Sequence, residues 1–320
     1  KTLLSQVLGF VGYRDTTKTG LYGLERYFEK DLAGSPGELY SEKDAGGVSI
    51  FGSNRKEQPA IDGTDLILTV DKNIQFQAES VIKEAVVKNG ADSGSVIVVN
   101  PKTGSVLAMA NYPDFDPNVY NKVEDPRDYR NDAVTGNYEP GSIFKPITMA
   151  AAINEGKVTP DTTYNDTGSV VIDNYTLKNS DNKGHGIQTM TQVLEQSLNT
   201  GVIFAKEQIG NEKFFEYVKN FGFGQNTGVE LSEAKGNLDN LKANIAVNYH
   251  TAAFGQGISA TPIQLIQAFT ALANEGKIMK PYLVLSKILP DGKTENTNPQ
   301  VDRQVIKAKT ANIISAMLVN

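Results

Sequence analysis

The strongest constraint in this sequence is an ordered change of hydrophobic period that begins near Asp62-Gly63. Leu66-Ile67-Leu68-Thr69-Val70 reads as a strand. Ile74, Ala78, Ile82 and Val86 then recur every four residues, with Val81 and Ala85 beside them. That spacing is one face of a helix, which Asn89-Gly90 ends. Two more strand-like runs, 95–99 and 105–109, flank Asn100-Pro101-Lys102-Thr103-Gly104. Pro and Gly mark that turn, so the pair reads as a hairpin. Residues 111–138 are rich in Asn, Asp, Tyr and Pro and read as a long loop.

The middle of the chain is helical. One helix is expected over 142–156, one from 189 towards 197, one from 199 towards Gly210, and a short one over 212–220. Thr261-Pro262-Ile263-Gln264 carries a Thr N-cap, Pro at the first helical position and Gln at the third, and that helix runs towards Gly276. Residues 282–289 read as a strand, Pro290-Asp291-Gly292 as a turn and 308–318 as a last helix. Strand, helix, hairpin, helical block, strand and helix in that order point to an α+β fold, an antiparallel sheet with an inserted helical subdomain. Residues 1–61 lack a long periodic segment and read as a small module of short strands and turns. Phe10, Tyr13, Tyr22, Tyr27 and Phe28 give that module apolar surface to pack.

The 320 residues allow about two domains. Hydrophobic residues make up 39% and charged residues 21%, enough for a proper core. A net charge of −6 argues against a grip on nucleic-acid phosphates. Cys is 0, which removes disulfides and thiolate chemistry. His185 and His250 are the two histidines, too few for a multi-histidine metal centre, and no cofactor motif stands out. No stretch approaches the ~18–20 apolar residues of a membrane span. The chain opens without Met and stops inside an apolar run, so it reads as cut at both ends.

The segment richest in chemistry is Glu139-Pro140-Gly141-Ser142-Ile143-Phe144-Lys145-Pro146. Ser142 would sit at a helix N-terminus, with Lys145 one turn on along the same face. A serine hydroxyl needs a base beside it to act as nucleophile. Lysine can serve if burial and positive potential lower its pKa. Such a pair allows acyl transfer without histidine. Five Ser-x-x-Lys pairs occur: Ser53/Lys56, Ser80/Lys83, Ser142/Lys145, Ser180/Lys183 and Ser232/Lys235. Chance accounts for most of them. Only Ser142 follows a Pro-Gly turn and opens an apolar helix. A second polar pair is expected at Ser197-Leu198-Asn199, between two helical runs, in preference to Ser180-Asp181-Asn182, which reads as turn chemistry.

Glu-Pro-Gly-Ser-x-x-Lys-Pro, the later Ser-x-Asn-x-Gly, and Phe254-Gly255-Gln256-Gly257-Ile258-Ser259-Ala260-Thr261-Pro262 together resemble the transpeptidase domain of class B penicillin-binding proteins. The likeness covers nearly the whole chain. It implies the penicillin-binding-protein/β-lactamase-like fold over 62–320, with 1–61 as the remnant of an N-terminal pedestal. It also implies peptidoglycan D,D-transpeptidation on D-Ala-D-Ala stem peptides and covalent inhibition by β-lactams. Ser142 would be the nucleophile, Lys145 the base, Ser197 a proton shuttle, and Asn199 a partner of Lys145 and the substrate amide. Gly255, Gln256 and Gly257 would lie near substrate. The expected partners are stem peptides, β-lactam antibiotics, a glycosyltransferase and other cell-wall assembly proteins. The expected location is the extracytoplasmic face of the bacterial membrane, with an anchoring helix in the parent.

The family also carries a third motif, Lys-Thr/Ser-Gly, after the second. Lys18-Thr19-Gly20 and Lys102-Thr103-Gly104 both precede Ser142, so that motif is expected beyond Asn320. Two other functions share these residues: a catalytically silent cell-wall scaffold, and a β-lactam sensor or β-lactamase relative. The pedestal-like residues 1–61 speak against a β-lactamase. Gly255-Gln256-Gly257-Ile258-Ser259-Ala260 also fits a dinucleotide fingerprint, but no strand precedes it, and it reads as the loop feeding the Thr261 helix.

Overall fold

The structure is a computed structural model, and it describes residues 2–40, 46, 56–243 and 245–319. Ser53, of the first Ser-x-x-Lys pair, lies outside the described residues. The N-terminal module contains the expected short strands: Val11–Arg14 pairs with Thr17–Gly20, and Glu38–Tyr40 with Lys56–Gln58. It also contains helices Ser5–Leu8, Gly23–Tyr27 and Glu29–Leu32. Each is only four or five residues, too short for a helical period to be legible. Phe10 is buried and packs its ring against Tyr22, Tyr120 and Tyr129, with centroids 5.4, 4.3 and 4.9 Å away. Tyr13 and Tyr27 do not follow the packing expectation. They are 68% and 52% exposed, Tyr13 lying on the uncovered end of its two-stranded ribbon.

Strand β1 (Asp65–Leu68) leads to helix α1 (Lys72–Asn89). Asp71 caps α1 by accepting from the Asn73 and Ile74 N–H groups at 2.8 and 3.0 Å. Gly90 closes it in the left-handed conformation, φ 61°. Strands β2 (Gly94–Val99) and β3 (Val106–Tyr112) form the expected antiparallel hairpin, with Lys102-Thr103-Gly104 in its turn. Residues 111–138 are more ordered than a plain loop. They hold 3₁₀ turns Pro117–Lys122 and Pro126–Tyr129 and helix Asp132–Thr135. Asp116 and Asp125 cap the two 3₁₀ turns, each followed directly by proline.

Helix α2 (Lys145–Asn154) is buried from Lys145 through Ile153, so it runs through the centre of the helical core. Four short strands follow: β4 (Thr163–Asp166), β5 (Ser169–Ile172), β6 (Tyr175–Lys178) and β7 (Gly186–Thr189). β5 pairs with β6 inside the β4–β7 pair, which makes a small nested flap. Helix α3 (Met190–Glu195) begins at a Thr189/Gln192 capping box. Helix α4 (Asn199–Asn220) breaks at Gly210, φ 75° and ψ 170°, where two separate helices are expected. Helix α5 (Pro262–Ala273) starts at the Thr261/Gln264 capping box. Strand β8 (Val284–Ile288) lies between β1 and Thr294–Asn296, all antiparallel, and helix α6 (Ala308–Met317) comes last.

The hairpin joins this sheet where the Val106 N–H donates to Tyr282 O at 3.0 Å and Thr69 Oγ1 donates to Val106 O at 2.7 Å. One apolar core is helical, with Phe144, Phe214, Phe221 and Phe223 packed around α2. A second lies under the hairpin, with Leu4, Val7, Leu24, Met109 and Leu283. Sheet and helical block are thus segregated, as an α+β fold requires. Among the described residues no helix is long and apolar enough to cross a membrane.

Thr261 is fully buried, and its hydroxyl accepts from the Gln264 N–H while Gln264 Oε1 accepts from the Thr261 N–H at 2.9 Å. Thr261→Ala should therefore destabilise the protein by about 1–2 kcal/mol, and Thr261→Ser should recover most of it. Urea unfolding of the three proteins checks both.

Candidate active site

The sequence Glu139-Pro140-Gly141 forces a turn that ends in an exposed serine. Gly141 is left-handed, φ 59°, and residues 141–144 form a 3₁₀ turn that runs into α2. Within it the Lys145 N–H donates to Ser142 O, so the two residues sit on one helical turn. Ser142 is exposed while Phe144 and Lys145 are buried. The next layer fixes this turn from behind. The Gly141 N–H donates to Gly255 O at 2.9 Å, and Tyr138 and Ala260 exchange backbone bonds at 3.1 and 3.0 Å. Glu139 Oε1 accepts from the Gly257 N–H at 2.9 Å.

Lys145 is only 2% exposed, and burial pulls its pKa down to about 8. Its ammonium donates to Ser197 Oγ at 2.9 Å and to the Ser197 carbonyl oxygen. Ser197 is left-handed, φ 55°, at the junction of α3 and α4. A serine in that conformation costs about 1 kcal/mol. Here the main chain changes direction between two helices, and both Ser197 oxygens meet the lysine.

The structure joins Lys145 to Ser197 through side-chain contacts and places Ser142 one turn before Lys145 on the same backbone turn. Asn199 departs from the expected pairing. Among the described residues Lys145 Nζ bonds Ser197 alone, and Asn199 Nδ2 donates to Lys178 O at 2.8 Å. The reason is its place in the first turn of α4, beside the end of β6. Ser180-Asp181-Asn182 is a turn as read: Asn182 is left-handed, and the Lys183 N–H donates to Asp181 Oδ1 at 3.1 Å. Gly255 and Gly257 act here through their backbone, both with positive φ, and the Gln256 side chain is exposed. A Cβ on Gly255 would lie 2.2 Å from Gly141 O, so only glycine lets the two segments approach. The segment follows helix Ala246–Ala252, which removes the dinucleotide alternative.

Several polar residues are invisible to the motif reading. Lys206 is 1% exposed, and burial lowers its pKa to about 8. It donates to Asn211 Oδ1 at 2.6 Å across the break in α4. His250 bonds Ala246 O and Glu207 beside it. Asp166, Asn179 and Thr200, all buried, form a second network with the half-buried His185, joined across long sequence separations that leave no local pattern.

The site and fold meet a known family. The model of the penicillin binding protein transpeptidase domain matches residues 94–320, and that of the penicillin-binding protein dimerisation domain matches 2–68. The chain belongs to the class B penicillin-binding proteins. Stage V sporulation protein D of Bacillus subtilis (strain 168) is 40% identical over 316 residues, covering 97% of this chain and 48% of that protein. Penicillin-binding protein PbpB of Mycobacterium tuberculosis is 33% identical over 310 residues, covering 96% of this chain and 46% of that protein. The chain thus spans about half the length of these relatives. Penicillin binding protein 3 of Mycobacterium tuberculosis in its apo form superposes with a TM-score of 0.87 at 29% identity, covering 99% of this chain and 68% of that one. Structures of the same protein with aztreonam and with ampicillin superpose with a TM-score of 0.86.

The Gly255 contact can be weighed against a control. Gly255→Ala combines a positive φ with a backbone clash and should cost roughly 2–4 kcal/mol. Gly156→Ala has a similar φ of 67° but nothing within 4 Å of the added Cβ, and should cost about 1 kcal/mol. Thermal unfolding of the two variants beside the parent chain checks the difference.

Proposed function

We propose that this chain carries the acylation apparatus of a serine-type peptidoglycan D,D-transpeptidase. The observation that carries the reading is the buried, pKa-lowered Lys145 bonded to Ser197, one helical turn from an exposed Ser142. At pH 7 roughly one lysine in ten is neutral with a pKa of about 8, against about one in three thousand at the ordinary 10.5. Neutral Lys145 takes the hydroxyl proton as Ser142 Oγ attacks the carbonyl between the two D-Ala residues. The tetrahedral adduct collapses and the C–N bond breaks. The leaving D-Ala nitrogen takes the proton back from Lys145 through Ser197. An amine on a neighbouring stem peptide then attacks the ester, and its proton returns by the same route to the Ser142 oxygen.

A β-lactam enters the same first step, with its ring amide opening in place of the peptide bond. The aztreonam and ampicillin complexes of the Mycobacterium tuberculosis relative support this ligand class. In this reading residues 1–61 belong to the pedestal and 62–320 to the transpeptidase domain. Asn199, two residues from Ser197, would orient the substrate amide, and the 255–257 loop, bonded to the nucleophile turn, would lie near substrate. The parent would work on the extracytoplasmic face of the membrane beside a glycosyltransferase and other cell-wall assembly proteins.

Intact mass after incubation with ampicillin tests the reading. The expected result is one added penicilloyl group, absent in Ser142→Ala. Lys145→Met should slow acylation by about 10²–10⁴-fold. The acylation rate should climb with pH and level off above about 8, because the neutral lysine is the active form and its fraction grows until the pKa is passed. A folded chain that also carries the third motif and takes no label would favour the silent scaffold, and rapid turnover of the antibiotic would favour a β-lactamase relative.

A further inference from the structure

We propose that Asp166, together with Asn179 and His185, is a positioning site that holds the start of α4 and thereby sets the placement of Ser197 and Asn199. The catalytic consequence rests on the transpeptidase reading, while the structural claim stands apart from it.

The argument begins with what α4 lacks. Its N-cap is Leu198, whose side chain offers no hydrogen bond to the first turn. The free N–H groups of a helix start need partners from elsewhere. The flap supplies one for the Thr200 N–H and adds side-chain contacts at Asn199 and Thr200. Asn199 Nδ2 donates to Lys178 O at 2.8 Å. The Thr200 N–H and Thr200 Oγ1 both lie 3.2 Å from Asn179 Oδ1. Thr200 Oγ1 also donates to Asp166 Oδ1 at 2.8 Å.

Asp166 is the hub. Its side chain has no solvent exposure. Besides Thr200 it accepts from the Gly168 N–H at 2.9 Å, Asn179 Nδ2 at 2.9 Å, the His185 N–H at 3.2 Å and His185 Nδ1 at 2.7 Å. Burial pushes its pKa up, but the donors from Gly168, His185 and Thr200 outweigh that and hold it low. An ionised carboxylate is thereby fixed beside the positive end of α4, where a negative charge is favoured. His185 Nε2 reaches on to Asp181 Oδ2 at 3.0 Å and ties the far turn of the flap to the same hub.

A buried polar network of this kind specifies one geometry, since any shift leaves a group unpaired. The residue it locks, Thr200, is three positions from Ser197 and adjacent to Asn199. The flap strands themselves are mostly exposed or half-buried. Their tie to α4 therefore runs through these polar contacts as much as through packing. Asp166, Asn179 and His185 do not touch the reacting atoms in this arrangement and act through Thr200.

Thr200→Val, Thr200→Ser and Asp166→Asn, each in the full 320-residue chain, test the proposal by two measurements. The first is amide hydrogen exchange by mass spectrometry, which needs no catalysis. Thr200→Val and Asp166→Asn should speed exchange across 197–203 tenfold or more, with α2 and α5 unchanged and Thr200→Ser close to the parent chain. Unchanged exchange in that segment would overturn the proposal, as would loosening spread evenly over the molecule. The second is the ampicillin acylation rate constant, separated from the non-covalent binding constant. The rate constant should fall tenfold or more in Thr200→Val and recover in Thr200→Ser, with initial binding little altered. Local loosening with an unchanged acylation rate would reduce the network to a structural staple and sink the positioning claim. If the unsubstituted chain takes no label while exchange responds as expected, the catalytic consequence fails for these residues and the anchoring of α4 stands.

Discussion

The site is organised around one buried ammonium. Lys145 opens a helix that is buried along nearly its whole length, and among the described residues its charge is met only by the two oxygens of Ser197. No carboxylate offsets the loss of water, so the charged form is disfavoured and the amine is kept near its titration point at neutral pH. Much else follows from the need to hold that pair. Ser197 accepts a left-handed backbone, and α3 and α4 meet at an angle there. The nucleophile turn must then sit one helical step away with its serine facing out.

The turn is held mainly by backbone, with the Glu139 carboxylate adding one bond from the Gly257 N–H. Gly255 lies so close to the Gly141 backbone that it could not carry a Cβ, and the 138–141 and 255–260 stretches exchange main-chain bonds beside that contact. Such contacts leave little freedom for repacking. They define the serine's position independently of whatever occupies the cleft, which is the form of preorganisation that the proposed acyl transfer calls for.

Much of this was legible in the sequence because the relevant signals are local. The four-residue spacing from Ile74 to Val86, the Pro-Gly turn before Ser142 and the capping box at Thr261 each lie within one or two turns of chain. Gly210 marked the break in α4 for the same reason. The flap over 163–189 was not legible. Its strands are four residues long and alternate poorly, so no period emerges. The 3₁₀ turns at Pro117 and Pro126 did have a signature, an Asp directly before Pro, which the overall polarity of 111–138 hid. The pairing of Asn199 with Lys178 O, and the meeting of Asp166, His185 and Thr200, depend on tertiary closure of the flap. No spacing within the chain encodes them.

The stacking of Phe10 on Tyr120 and Tyr129 bears on how the molecule comes apart. Those two tyrosines belong to the polar stretch between β3 and the nucleophile turn, and Leu4, Val7 and Leu24 share a core with Met109 and Leu283. The first thirty residues therefore supply part of the apolar filling beneath the hairpin. Separating them would bare an aromatic cluster and part of a core together. In thermodynamic terms the first thirty residues and the hairpin should melt together, because they share that packing, although the sequence reads as two regions with a boundary near Asp62.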